Sequence, residues 1–198
     1  QMTSNTYTGY KITTESAKLP VTMEDARMQL RLDDLAQDDA YVAALIYAQC
    51  SYVETQYSAA LLSKTIEEYH SAFPCMATES LWLRVAPFQS VTSVKYLDST
   101  ATEQTWSSAE YATKVFKSGA FIIPKPDYVW PTDLAIRPDA VKITYEAGYG
   151  ATPASIPQWI KLGILARIGR AYTQREDPKT DSMSYSDTLL HPLYRFSL

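Results

Sequence analysis

The stretch Ala40–Leu62, AYVAALIYAQCSYVETQYSAALL, decides how the rest of the chain is read. It holds no Gly or Pro, is rich in Ala and Leu, and carries Glu54 as its only charge. Length and composition of this kind predict a helix. Tyr41, Leu45, Ala48 and Tyr52 share one face at helical spacing, and Val42, Ile46 and Val53 widen it. Ala43, Tyr47, Cys50 and Tyr57 occupy another. A helix apolar on several faces is expected to bury several. It is either the central core helix or one whose Tyr- and Ala-rich face meets a second copy of the chain.

Moving outward from that helix, the 198 residues suffice for a sound core in one domain, or one domain with a large insert. With 46% hydrophobic and 20% charged residues the composition is that of an ordinary soluble globular protein. A formal net charge of −4 argues against a general nucleic-acid binder. Fifteen tyrosines and four tryptophans are a heavy aromatic load, of a kind that favours interfaces. Cys50 and Cys75 match no metal spacing and no disulfide framework, and Cys50 reads as a small buried hydrophobe. No signal peptide is read, and the long helix carries too much Gln, Ser, Thr and Tyr to span a bilayer, so no membrane partner is expected.

Upstream, residues 1–19 are Thr- and Ser-rich without a helical period and predict an extended or disordered arm. LPVTMEDARMQLRLD then opens a short helix. Thr22 is its N-cap, Val21 stands at the staple position, Glu24 and Asp25 favour the first turn, and Ala26 and Leu30 face inward. The acidic run Asp33–Asp39 ends it and caps the long helix at Asp38 or Asp39. Four aspartates so close could suggest a cation site, but the Gly and closing Glu of a calcium loop are missing.

Downstream of Leu62 the period changes to two. KTIEEYH, LWLRV, QSVTSVKYL, EYATKVF, AFIIP and AVKITYEAG predict strands, separated by Pro74, Pro87 and a turn at Asp98–Thr100. PKPDYVWPTDLAIRPDA is a proline-punctuated loop with Tyr128 and Trp130 pinned against the sheet. A helical period returns in SIPQWIKLGILARIGRAYTQRED, with Ser155 as cap, Pro157 in the first turn and Pro178 as stop. Ile160, Ile164, Ile168 and Tyr172 form its inner face. Gly163 and Gly169 mark close approach to another backbone, at about 1 kcal/mol of helix stability each. Lys161, Arg167, Arg170 and Arg175 make this helix basic, as a salt-bridged surface or a DNA-facing stripe. The predicted fold class is therefore α+β. Two N-terminal helices and one long C-terminal helix form a helical body (residues 20–62 and 151–178), with a small antiparallel β-region, 63–150, inserted and a tail over 179–198.

Catalytic signals are sparse. His70 and His191 lack a nucleophile motif or a metal-ligand partner at recognised spacing. Gly148-Tyr149-Gly150 ends a strand and does not open a phosphate-binding helix. Glu67 and Glu68 point to opposite faces of one strand. No enzyme activity, cofactor or metal is expected from these residues.

Several strings, taken in order, carry a resemblance: LPVTMEDARMQLRLD, DDAYVAALIYAQCSYVET, RVAPFQSVTSVKYLD, Trp130-Pro131, AVKITYEAGYG, SIPQWIKLGILARIGRAYTQRED and the closing LLHPLYR. Over about Leu19 to Arg195 the chain resembles the head–tail connector, or adaptor, family of tailed double-stranded-DNA phages, prophages and gene transfer agents. The resemblance implies a structural virion protein of the neck, assembled in the host cytoplasm. Its copies would form a twelve-fold homo-oligomeric ring below the portal protein, pass DNA through the lumen without specific binding, and offer a platform to the next neck or tail protein. A ring needs a heterologous interface, for which Tyr47 and Tyr57 of the long helix and Lys161, Arg167 and Arg170 of the basic helix are candidates. Leu193, Tyr194, Arg195 and Phe196 are candidates for portal docking, unless the apolar tail folds back on the third helix. Other readings are a head-closure or tail-terminator protein of the neck, or a tail-associated carbohydrate-binding module or hydrolase using the aromatics as sugar platforms.

Overall fold

The computed structural model describes residues 7–32, 38–76, 78–116, 119–174 and 185–196, the side chains of 194–196 excepted. In chain order the elements are β1 (Tyr7–Thr14), α1 (Met23–Leu30), α2 (Asp39–Tyr57), β2 (Lys64–His70), β3 (Leu81–Leu83) and β4 (Phe88–Leu97). They continue with β5 (Glu103–Trp106), β6 (Tyr111–Phe116), β7 (Gly119–Pro124), β8 (Val141–Ala147), α3 (Gln158–Thr173) and α4 (Tyr185–Leu190). The chain packs as two units, one of Gln1–Glu15 with Lys64–Gly148 and one of Ser16–Ser63 with Tyr149–Leu198.

The sheet unit corrects the expected fold class. Among the described residues eight strands form two antiparallel sheets, ordered β1-β2-β8-β4-β5 and β3-β7-β6, so this is no small β-insert in a helical body. Two strands escaped the sequence reading. The N-terminal stretch expected as an arm forms β1, which pairs along β2 from Tyr7 opposite His70 to Thr14 opposite Thr65. Its Thr-rich composition suits a pleated edge as well as a tail. The four-residue β5 is too short for alternation to register, and it gains its place by pairing with β4.

At the centre of the larger sheet, β8 buries Val141, Ile143, Tyr145 and Ala147 on one face, as period two requires. An aromatic cluster accompanies this sheet: Phe73 stacks on Trp130 at 5.3 Å and meets Trp106 of β5 at 5.6 Å, and Trp106 touches Tyr111 of β6 at 5.1 Å. Trp130 is pinned as expected, its indole N–H donating to the Met76 carbonyl at 3.1 Å, whereas Tyr128 is exposed.

In the helical unit, α1 starts as its sequence asks. Thr22 accepts from the Asp25 N–H at 3.1 Å, and the Asp25 carboxylate accepts from the Thr22 N–H at 3.3 Å, a closed capping box. The α2 cap differs. Asp38 makes no side-chain cap bond and instead accepts the Tyr172 hydroxyl, while Asp39 pairs with Arg27. Helix α2 also stops short of Leu62, because Ser58 turns left-handed at φ 48° and its N–H closes on the Glu54 carbonyl. The Glu54 carboxylate then accepts the Leu61 N–H at 3.0 Å, so Ala59–Leu62 leave the helix and enter the core. The buried stripe of α2 is Val42, Ile46, Cys50, Val53 and Tyr57. Only this face is buried, and Tyr41, Tyr47 and Tyr52 are exposed.

Helix α3 starts later than expected. Ser155 lies in a separate 3-10 turn, Pro153–Ser155, and Pro157 takes the cap position. Ile160, Ile164 and Ile168 form its buried face against α2. Among the described residues no helix is long and apolar enough to cross a membrane.

Candidate functional site

Three arrangements could do work. The first lies on the helical unit, where α3 meets α2 and α4. Arg167 donates to Gln49 Oε1 at 3.0 Å and to Asp187 Oδ1 at 2.8 Å, with its guanidinium 4.0 Å from the centre of the Tyr52 ring. Charge-assisted bonds and a cation–π contact hold this side chain on its own unit, so Arg167 belongs to the salt-bridged alternative. Arg170 reaches one turn along to Gln174 at 3.2 Å, and Lys161 is half-buried. Tyr47 is 67% exposed.

Two sequence candidates are core residues. Tyr57 is 2% exposed and Leu193 is fully buried, both within the apolar cluster of this unit. They cannot present a surface to another molecule while that core is intact, because their apolar area is already removed from water. Tyr194, Arg195 and Phe196 continue a 3-10 turn, His191–Phe196, and their side chains lie outside the described residues, as does Arg175.

The second arrangement is a buried polar network that sequence reading overlooked. Glu68 and His70 sit on the inner face of β2, both buried. Glu68 Oε1 lies 3.1 Å from His70 Nε2, and Oε2 accepts from the Tyr145 hydroxyl at 2.8 Å and from the Arg84 N–H at 3.0 Å. The Tyr145 oxygen in turn accepts the Val85 N–H at 3.1 Å. Burial, then the charge of Glu68, pushes the Tyr145 phenol well above its ordinary value. The signal was present in KTIEEYH, since period two puts Glu68 and His70 on one face with Ile66. These groups ligate one another through fully occupied bonds, an arrangement that ties β2, β8 and the end of β3 together. Among the described residues no three His, Cys, Asp or Glu side chains gather as a metal site.

The third arrangement is the outer face of the three-stranded sheet. Leu81, Leu83, Ala120 and Ile122 point into the core from β3 and β7. The residues between them point out. Trp82 is opposite Phe121 in register and Phe121 is opposite Lys114. Their rings form a continuous cluster, Trp82 to Phe121 at 4.8 Å and Phe121 to Phe116 at 5.4 Å, with Trp82 43% and Phe116 56% exposed. At φ 142° Gly119 occupies a conformation few side chains adopt, and the Trp82 ring lies beside it at ordinary contact distance.

No model of a protein family matches the chain, and no curated protein matches it. Solved structures do. The fold is similar to a chain of the virion of a native gene transfer agent (GTA) particle, at TM-score 0.75 and 19% identity, covering 95% of this chain and 94% of that one. It is equally similar to a chain in the neck of an empty GTA particle computed with C6 symmetry, at TM-score 0.75 and 19% identity over 96% and 95% of the two chains. A chain in the neck of a native GTA particle computed with C12 symmetry matches at TM-score 0.72 and 18% identity, again over 96% and 95%. The likeness is one of fold, and it covers at least 94% of each chain.

Proposed function

We propose that the chain is a structural component of the neck of a phage-like particle. Copies form a ring below the portal, which extends the DNA channel and seats the next neck or tail protein. The observation that carries this reading is the end-to-end similarity of fold to chains in particles whose necks were computed with C6 and C12 symmetry. An adaptor role agrees with the ordered strings of sequence that resemble connector proteins. A formal charge of −4 suits a channel wall that lets DNA slide without gripping it. Tyr47, Lys161 and Arg170 contribute to contact between copies, and Tyr194, Arg195 and Phe196 to contact with the portal.

A sugar-binding role would ask for aromatic rings lying flat, side by side, to stack on successive saccharides. The rings of Trp82, Phe121 and Phe116 instead pack against one another, tilted by 57° and stacked at 14°. The tilt between Trp82 and Phe121 breaks the flat row that a sugar platform needs. The test is the chain's position in an intact particle, by electron cryomicroscopy of particles carrying a tagged copy. Density in a ring at the portal vertex is expected. Density on tail fibres or a baseplate, or exclusion from the particle, overturns the proposal.

A further inference from the structure

We infer that the aromatic outer face of the three-stranded sheet is one half of a contact between copies, and that its other half is the turn leaving the far end of β7. This inference rests on the neck reading, since it assumes copies arranged around an axis. A closed ring of identical chains requires two different, complementary patches on each copy. Strand β7 carries one at each end. At its start, beside Gly119, lie Phe116, Phe121 and Trp82. At its end, past Pro124, the turn Lys125–Tyr128 and the residue after it leave Tyr128 and Val129 45% and 68% exposed. Strand β7 runs about 17 Å from Gly119 to Pro124, with Phe121 in its first half and the turn beyond its end.

Charge matches as well. Lys114 shares the aromatic face, being opposite Phe121, and Asp127 precedes Tyr128 and Val129 in sequence, in the left-handed region at φ 70°. Both side chains are exposed, and among the described residues neither has an ion-pair partner. An apolar centre with one complementary pair at its rim is the usual anatomy of a protein interface. A second copy of this chain supplies every part of it.

The experiment uses two variants, Phe116→Glu and Val129→Glu. Each changes an exposed residue, so each should keep the wild-type melting temperature, measured first. Assembly is read by sedimentation of the purified chain over rising concentration, and by incorporation into particles when each variant replaces the wild type. Each variant alone should fail to self-associate, with incorporation reduced at least tenfold. An equimolar mixture should associate only as far as dimers, because one good hairpin face and one good turn remain in each pair. Lys114→Glu should be defective, and Lys114→Glu with Asp127→Lys should recover. Normal assembly of either variant, or a mixture that gains nothing, overturns this interface while leaving the neck reading standing. Wild-type chain that neither self-associates nor enters particles overturns both. Retention of monomeric wild type on glycan or lipid vesicles, lost with Trp82→Ala, assigns the face to another ligand and overturns the interface.

Discussion

Glu68 shows how a carboxyl group can be held inside a sheet. Tyr145 and the Arg84 N–H both donate to its Oε2, and His70 meets its Oε1. Removing one partner leaves the others buried without their bonds, which costs about 1–3 kcal/mol for each orphaned group. Tyr145→Phe strands the Val85 N–H as well as one lone pair of Glu68, so we expect a stability loss in that range by urea unfolding, with the fold retained. An unchanged midpoint would mean that water replaces the hydroxyl. Asp98 gives a prediction in pH. Its carboxylate accepts from the Thr100 hydroxyl at 2.6 Å, the Gln104 amide at 2.8 Å and the Thr102 N–H at 3.0 Å, which together hold it down to about 2. In the unfolded chain it titrates near ~3.9. Folding therefore gains from this group above about pH 4, and the gain is lost as pH falls from there towards 2. The wild type should outlast Asp98→Asn in urea at pH 6, and the two midpoints should converge by pH 2. A gap that stays constant with pH would show that the turn's bonds do not depend on ionisation.

Among the elements, α3 and α4 are joined where a glycine makes room. A Cβ on Gly163 would stand 2.8 Å from two carbons of Leu190, a side chain itself fully buried. Gly163→Ala gains about 1 kcal/mol of helix propensity, but forcing a methyl into a filled core costs about 1–3 kcal/mol. We expect the clash to win, lowering the melting temperature and exposing α4 to limited proteolysis; a stabilised variant would show that Leu190 can shift. The sequence marked Gly163 as a point of close approach, but the neighbour is a side chain where a backbone was expected. Gly169 has no such neighbour, its nearest being Gln29 at 3.9 Å. Legibility followed the length and period of each element. The strands β2, β4 and β8 alternate long enough to be read within a residue of their ends, and the Thr22 cap was readable from local chemistry alone. What escaped was set by partners distant in sequence. β1 is a strand because β2 offers it an edge, and the aromatic face is visible only once Trp82 and Phe121 are in register. The inward stripe of α2 was misjudged because Tyr is apolar enough to pass as core and polar enough to remain outside.

For the whole molecule, the last described side chains include two that belong to the core. Leu190 and Leu193 are fully buried and belong to the same apolar cluster as Ile160, Ile164 and Val53. Two leucines lost from such a core cost about 2–5 kcal/mol each, a sum comparable to the ~5–15 kcal/mol that holds a domain folded. Truncation after Ser186 should therefore unfold or aggregate the helical unit. Such a failure would say nothing about docking, because it removes core and terminus together. Truncation after Leu193 is the cut that separates the two. It keeps both leucines and deletes only Tyr194–Leu198, so circular dichroism and the melting temperature should stay close to wild type. If the terminal residues anchor the chain to the portal, particles supplied with this variant should contain filled heads that lack the neck ring and tails. Tyr194→Ala with Phe196→Ala in the full chain should reproduce the defect. Normal tailed particles from the Leu193 truncation would remove the terminus from the portal contact and leave that role to another surface.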